Sequence, residues 1–324
     1  MKLSNIRLEV MQTIEKSMDD LLIQYLNPVE ENWQPQDFLP DSRDDNFIEK
    51  VREIKELSRE LNYDLVVVLI GDTITEEALP TYESWLMNVE GVDQDGNNGW
   101  SKWVRAWSSE ENRHGDLLNK YLYMSGRVNM RQLEISTQYL ITDGLDIGTG
   151  FDPYRNFIYT SFQELATNIS HKRVSSLVRK AGNDDLAKIC SVIAADEARH
   201  AGAYINFVSR IIELDASELL IALEDMMRKK IVMPNSLLRE AGQEAGDLFE
   251  VFSDAAQRLN VYTTQDYINI LKYLLRAWKV GDLRSLTDRA QRSRDYLMKL
   301  PERLQKISTR IKIPQESYNF SWVV

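Results

Sequence analysis

Cysteine occurs once in this 324-residue chain, at Cys190, and histidine only three times, at His114, His171 and His200. A single thiol excludes an internal disulfide, and three imidazoles without a His-Glu-x-x-His string exclude a histidine-rich zinc site. Long apolar runs are missing as well: the longest strongly apolar stretch, 65–70, falls far short of the ~20 residues that span a bilayer. Basic charge is in deficit, with 39 Lys and Arg against 50 Asp and Glu and a net charge of −11. That balance gives no electrostatic footprint for nucleic acid. The first residues carry neither the apolar core of a signal peptide nor the Arg- and Ser-rich, acid-poor character of a transit peptide. They begin instead with amphipathic spacing at Ile6, Val10, Ile14, Met18, Leu21 and Leu22. Together these features predict a soluble cytoplasmic protein.

What is present is a repeated pairing of carboxylate and imidazole. His114 and His200 each follow a glutamate by three residues, in Glu110-Glu111-Asn112-Arg113-His114 and Asp196-Glu197-Ala198-Arg199-His200. Positions i and i+3 share a helix face, so each Glu-x-x-His presents an oxygen and a nitrogen side by side. Both pairs sit on apolar stripes, the first with Trp103, Trp107, Leu118 and Leu122, the second with Ile189, Ile193, Tyr204, Phe207 and Ile211. Carboxylates on a buried stripe are costly unless neutralised, and a metal ion is the neutraliser that also uses the imidazoles.

Two further glutamates complete the pattern: Glu76 lies 35 residues before Glu111, and Glu164 lies 33 before Glu197. The unit "Glu helix, turn, Glu-x-x-His helix" occurs twice, as in ferritin-like four-helix bundles that hold two irons. Four carboxylates and two Fe(II) ions sum to zero charge, and hard oxygen donors favour iron over a four-coordinate zinc. Glu77 adjoins Glu76, and helical phase alone does not choose between them; Glu76 is taken as the ligand. The acids at i−1, Glu110 and Asp196, and the arginines at i+2, Arg113 and Arg199, repeat too. They predict outer partners, with Asp196 orienting His114 and Glu110 orienting His200; ordinary interhelical ion pairs are the alternative.

Longer strings carry a resemblance. Asn32-Trp33-Gln34-Pro35-Gln36-Asp37-Phe38-Leu39-Pro40-Asp41, the Gly-Asp-x-Ile-Thr-Glu-Glu-Ala-Leu-Pro-Thr-Tyr segment ending at Tyr82, Arg105-Ala106-Trp107, the segment 110–121, Tyr159-Thr160-Ser161-Phe162-Gln163-Glu164 and Met226-Met227-Arg228-Lys229-Lys230 make the chain similar to the soluble acyl-[acyl carrier protein] desaturases. The resemblance runs over nearly the whole length. It implies metal ligands at Glu76, Glu111, His114, Glu164, Glu197 and His200, and two irons per chain that activate O2. It implies a saturated acyl chain borne on acyl carrier protein as substrate, a cis double bond as product, reduced ferredoxin as electron donor, and a homodimer. Insertion at the ninth carbon of stearoyl is the family's usual reaction.

By the same resemblance Thr167 stands beside the oxygen site, where a hydroxyl passes protons; a threonine bonded back to its own helix is the alternative. Trp33 and Asp196 match the family's suggested electron route. Trp85, Val89, Asn156 and Phe157 correspond to the end of the substrate tunnel, and the bulk of Trp85 predicts a shorter acyl chain or a shifted double bond. His171 reads as a hydrogen-bonded core histidine. Carrier docking on so acidic a chain needs a local basic patch, and Arg228, Lys229 and Lys230 are the candidates, together with the 171–180 stretch. Plastid relatives carry a transit peptide, so the address is the cytoplasm, or the plastid stroma if a leader has been removed. The short apolar runs separate the chain from membrane-integral, histidine-cluster desaturases. Two other readings share part of the evidence. One is another ferritin-like oxidase, such as a hydroxylase or a ribonucleotide reductase radical subunit, which would want a redox tyrosine and usually one Asp ligand. The other is a non-catalytic helical binder of acyl carrier protein.

The expected architecture is all-α, one domain over 1–324, with a core bundle at about 63–212 flanked by N-terminal helices in 1–62 and C-terminal helices in 213–324. Expected helices end near Asn27 and then run over 44–61, 63–88, 100–125 and 130–142, followed by the two long Glu164 and Glu197 helices. The 53 residues between Glu111 and Glu164 suit a long crossover. Further helices are expected over 217–232, 244–259, 264–278 and 287–311, the last broken near Pro301. The tail from 313 should pack in extended form.

Overall fold

The computed structural model describes residues 5–324. Twelve helices order along it: α1 (Asn5–Glu15), α2 (Met18–Tyr25), α3 (Phe47–Arg59), α4 (Tyr63–Glu77), α5 (Leu79–Met87), α6 (Gly99–Ser125), α7 (Met130–Asp143), α8 (Pro153–Lys180), α9 (Asp184–Lys229), α10 (Phe249–Arg258), α11 (Thr264–Ala277) and α12 (Asp288–Ser308). Among the described residues no strand forms beyond one antiparallel bridge, Val128 to Val323, and no helix is long and apolar enough to cross a membrane.

Four helices make the central bundle, and each starts at an Asn or Asp whose side chain caps it. Asn62 accepts from Leu65 N at 2.8 Å, Asn98 from Ser101 N at 3.0 Å, Asp152 from Tyr154 N at 3.0 Å and Asn183 from Leu186 N at 3.1 Å. These caps satisfy backbone donors that α4, α6, α8 and α9 would otherwise leave open. α8 and α9 form the most extensive packing in the chain, joined by a turn in which Gly182 adopts φ +84°. α4 packs on α6, with α7 and α10 over its other faces. That enclosure explains why the run 65–70, all apolar and all buried, is helix and not strand: it has no solvent face. α7 and the loop after it carry the chain from the α4–α6 pair to the α8–α9 pair.

Several boundaries differ from expectation. The helix expected over 63–88 breaks at Ala78, because Pro80 has no N–H to donate to the Glu76 carbonyl and its ring crowds that carbonyl. The first helix splits at Ser17, whose hydroxyl donates to the Ile14 carbonyl at 2.8 Å. The helix expected from 217 is the second half of α9, bent at Asp215 (φ −150°, ψ 61°). Tyr154 donates to that aspartate at 3.0 Å, and its other oxygen accepts from Glu218 N at 3.4 Å, so the bend is held and the second half is capped. The segment expected as helix from 244 stays a loop until 249. Conversely, α12 runs through Pro301 without a break in its assignment, since Ala290, Ser293, Leu297, Leu300 and Pro301 all bury one face against the body. The tail packs as expected: Trp322 is buried, donates to Ser136 Oγ at 2.9 Å and accepts from Asn129 N at 2.7 Å.

Two ion pairs tie the periphery to this core. Arg173 on α8 meets Asp266 of α11 with both Nη atoms at 2.6 Å, and Arg258 on α10 meets Asp64 of α4 at 2.7 and 2.9 Å. Burial alone would raise the Asp266 carboxyl, but its bonds to Arg173 and Thr263 outweigh that and hold it below the ordinary value; the Arg258 bond lowers Asp64. A carboxyl whose folded pKa is depressed stabilises the fold above its unfolded pKa and loses that contribution as pH falls through the folded value. Unfolding free energy should therefore decline below about pH 4. Asp266→Asn should cost about 1–3 kcal/mol at pH 7 and flatten that acid decline, as read by urea titrations at pH 7 and pH 3.

Candidate metal centre

The four bundle helices bring their acids and imidazoles to one buried point. Ligand-capable atoms of Glu76, Glu111, His114 and Glu197 lie within 4.8 Å of one another, as do those of Glu111, Glu164 and His200. Glu111 belongs to both groups. One of its oxygens lies 3.2 Å from His114 Nδ1, and the other 2.5 Å from His200 Nδ1. His114 Nδ1 also faces Glu197 Oε1 at 3.1 Å and Glu76 Oε2 at 3.7 Å, while His200 Nδ1 faces Glu164 Oε2 at 3.8 Å.

Around this centre both imidazoles reach outer partners. His114 Nε2 lies 3.3 Å from Asp196 Oδ2, and His200 Nε2 lies 2.8 Å from Glu110 Oε2, so the two predicted pairs do meet across the helices. Arg113 donates to Asp196 at 2.8 Å, and Arg199 donates to Glu110 at 2.8 Å and to Asp196 at 2.5 Å. Two acids and two arginines thus form a self-neutral frame around the inner four carboxylates. Trp33 donates its Nε1–H to Asp196 at 3.0 Å and stacks on His114 at 5.9 Å between centroids, and the Arg113 guanidinium lies over the Trp33 ring at 4.1 Å. Thr167 bonds back to its own helix, its hydroxyl contacting the Gln163 and Glu164 carbonyls at 3.2 and 3.1 Å, and it also bonds Glu197 Oε2.

The electrostatics follow from crowding acids in a dry core. Burial, and then the Glu111 and Glu197 charges, push the Glu164 carboxyl well above the usual range. Burial lowers the basicity of His200, but the Glu111 charge and the bonds to Glu110 and Glu111 outweigh it and push the ring up to about 9; His114 is raised for the same kind of reason. Burial would raise Asp196, yet the His114 bond and charge together with Arg199 and Arg113 hold it at about 2. The point demands positive charge. It also offers free donors: His114 Nδ1, Glu164 Oε2 and Glu197 Oε1 are buried without any hydrogen-bond partner. Three orphaned atoms aimed at one place are what a cation would satisfy, and the mix of carboxylate oxygen with two imidazoles suits iron.

The structure separates residues that spacing could not. Glu76 reaches the cluster, whereas Glu77 turns to Asn119, which donates to it at 2.7 Å. Sequence reasoning missed Trp107, whose Nε1–H donates to Glu164 Oε1 at 3.0 Å; its place one turn before Glu111 on the same face was the available signal. It also missed Gly115, where a Cβ would lie 2.9 Å from Glu77 N and 3.0 Å from Glu76 C, so α6 and α4 touch backbone to backbone beside His114.

The four residues expected at the tunnel end do not form one wall. Trp85 is half-buried, meets the Tyr159 ring edge-on at 5.6 Å and lines a surface groove with Pro80, Thr81, Ser84 and Ile141. Phe157, two residues from Tyr159, faces the other way onto Trp100, Tyr204 and Phe207. Val89 is buried, and the Asn156 amide is fully engaged by Thr149, Gly150 and Asp152. The basic patch is also partly neutralised: Arg228 pairs with Glu224 at 2.7 Å and Lys229 with Asp225 at 3.2 Å, so Lys230 alone of the three has no carboxylate at ion-pair distance. In the 171–180 stretch Arg173 is committed to Asp266.

Comparison with known proteins identifies the family. The family model described as "Fatty acid desaturase" matches residues 6–324. The chain is 47% identical over 324 residues to stearoyl-[acyl-carrier-protein] 9-desaturase 1, chloroplastic, of Arabidopsis thaliana, covering 98% of this chain and 82% of that protein. It is 46% identical over 323 residues to the Ricinus communis stearoyl-[acyl-carrier-protein] 9-desaturase, covering 98% and 81%. Among solved structures, DesA2 of Mycobacterium tuberculosis H37Rv, described as an acyl-ACP desaturase, superposes with a TM-score of 0.54 at 15% identity over 90% of this chain and 99% of that one. At that identity the likeness speaks to the helical fold alone.

Proposed function

Since the chain belongs to the fatty acid desaturase family, we propose how its residues divide the work of that chemistry. The chain is an oxidoreductase that desaturates acyl groups carried on acyl carrier protein, and its whole length aligns with enzymes named for that reaction. The observation that carries the finer reading is the pair of overlapping Glu and His groups sharing Glu111. In this reading Glu76, Glu111, His114 and Glu197 hold one iron, and Glu111, Glu164 and His200 hold the other. When bound, the irons supply O2 activation and the removal of hydrogen from adjacent methylenes.

The rest of the work falls to the side chains around that centre. Asp196 and Glu110 hold the two imidazoles by their Nε2 atoms and fix which nitrogen faces inward. Thr167, bonded to Glu197, holds a hydroxyl proton at the edge of the site. Trp33, partly exposed and linked through Asp196 to His114, offers the route by which electrons from reduced ferredoxin enter. The aromatic and aliphatic packing around the cluster excludes water, which confines the chemistry to the bound chain. The whole of 1–324 acts as one ferritin-like domain, as a homodimer, in the cytoplasm or the plastid stroma. Docking of the acidic carrier falls to Lys230 with its neighbours Arg228 and Lys229. Because the match runs end to end with desaturases, the radical-subunit reading is set aside.

Anaerobic reconstitution with Fe(II) tests this. About two irons per chain are expected from the ligand set, followed by an unsaturated product from a saturated acyl carrier substrate with ferredoxin and O2, read by mass spectrometry. A chain that takes up no iron overturns the metal assignment. In this reading Trp85 bears on chain-length preference through its edge-on contact with the Tyr159 ring. Trp85→Met is expected to shift the product toward a longer chain or a different bond position; unchanged position and unchanged preference would sink that role.

A further inference from the structure

We propose that His171 is the positioning residue for Glu76: its ring nitrogen fixes one oxygen of that carboxylate so that the other faces the metal. The inference rests on the metal reading above and concerns how one ligand is held. His171 Nε2 lies 3.1 Å from Glu76 Oε1, while Glu76 Oε2 is the oxygen turned toward His114.

Three observations converge on this role. The first is completeness. His114 rests on Asp196, His200 on Glu110, Glu164 on Trp107 and Glu197 on Thr167; Glu76 is the remaining outer carboxylate, and His171 is its partner.

The second is the weakness of the helix beneath Glu76. Glu111, Glu164 and Glu197 stand well inside long helices, whereas α4 ends at Glu77, Ala78 leaves helical geometry and Pro80 cannot donate to the Glu76 carbonyl. The other ligands are fixed by the backbone below them. Glu76 sits on a last turn and needs a hold from another helix, and His171, within the straight run of α8, provides one.

The third is that, among the described residues, Glu76 is the only carboxylate within ion-pair distance of His171. His171 is 1% exposed; its Nε2 meets Glu76, and the Cys190 thiol and the Asp72 carboxylate also act on the ring. A buried imidazole is costly as packing material unless its nitrogens are paired, and Nε2 pairs with Glu76.

The pairing also distinguishes the two halves of the site. Glu164 is held by an indole N–H from α6, and Glu76 by an imidazole from α8, so the repeated ligand unit has unlike supports. Loss of His171 should therefore act on one metal position and spare the other.

Anaerobic titration of metal-free wild type, His171→Phe and His171→Gln with Fe(II), and in parallel with Co(II) for its absorption spectrum, decides the matter without recourse to turnover. In His171→Phe one of two sites should weaken by about 10–100-fold, with a changed Co(II) band, while the other stays within about threefold. His171→Gln, whose amide N–H can donate in the same direction, should recover most of the affinity. If the Phe variant does not fold, as judged by helical circular dichroism, His171→Asn replaces it, its amide being too short to reach. Two unchanged sites in Phe or Asn overturn the proposal, as does equal weakening of both sites in Phe and Gln alike, which would mark a packing role. Wild type taking up no metal would overturn the metal reading itself, and this inference with it.

Discussion

Glu111→Ala should release both metals, whereas Glu164→Ala should release one. Every other acid in the cluster belongs to a single group of ligand atoms, but Glu111 belongs to both and stands between the two imidazoles, 3.2 Å from His114 Nδ1 and 2.5 Å from His200 Nδ1. Its substitution removes an oxygen, and a negative charge, from both groups of ligand atoms. Outer partners of metal ligands typically contribute 10–100-fold in affinity; a shared direct ligand should contribute more, roughly a thousandfold at each position by extension of the same rule. The measurement is iron per chain after reconstitution and desalting, with melting temperature recorded with and without Fe(II). Wild type should gain about 3–4 kcal/mol of stability for each site at 100–1,000 times its Kd. Glu164→Ala should keep about half of that gain, and Glu111→Ala should show none of it and no desaturation. A Glu111→Ala protein that retains one tightly bound iron would mean that the carboxylate is not shared.

The second large effect belongs to a residue with no functional group. Gly115→Ala should destabilise the chain and weaken the Glu76 side of the site, and Gly115→Val should do both more strongly. Helix propensity alone argues the opposite, since Ala is favoured over Gly by about 1 kcal/mol inside a helix. The contact decides the sign. A Cβ at 115 meets the backbone of α4 at 2.9 and 3.0 Å, at Glu77 N and Glu76 C, and backbone held in a helix cannot swing aside as a side chain would. Separating α4 from α6 at that level widens the 3.7 Å approach of Glu76 to His114. Overpacking of this kind costs about 1–3 kcal/mol, and a metal position made from both helices should lose at least about tenfold in affinity by analogy with lost outer partners. Urea midpoints of the metal-free variants and Fe(II) titrations read the two consequences separately. A Gly115→Ala chain that is more stable than wild type and binds metal normally would show that the approach is not tight.

Much of the centre was legible in the chain because its signals are local. The Glu-x-x-His pairs fix an oxygen and a nitrogen on one face by the geometry of a single helix. The Asn and Asp residues at 62, 98, 152 and 183 cap the four bundle helices within three residues of themselves. The acids and arginines flanking the pairs repeat, and they meet across the helices as their spacing predicts. The resemblance to desaturases likewise rests on contiguous strings and is supported by the end-to-end family match.

What sequence left open depends on how one helix is rotated and slid against another, which no single helix determines. Glu76 and Glu77 are about 100° apart on α4, and only the seating of α4 on α6 and α7 turns the first toward His114 and the second toward Asn119. That Glu111 serves both groups, that Trp107 supports Glu164 and that His171 supports Glu76 are all relations between helices. The proline at 80 ends α4 while the proline at 301 leaves α12 unbroken, although the local chemistry is the same; Pro301 is itself buried against the body, whereas Pro80 is exposed. The sequence by itself determined which side chains are candidates for the chemistry and that they ride on helices, because a 3.6-residue period and a capping side chain act over one or two turns. The tertiary structure alone decided which carboxylate faces inward, which is shared and what holds each in place, because those depend on packing between surfaces far apart in the chain.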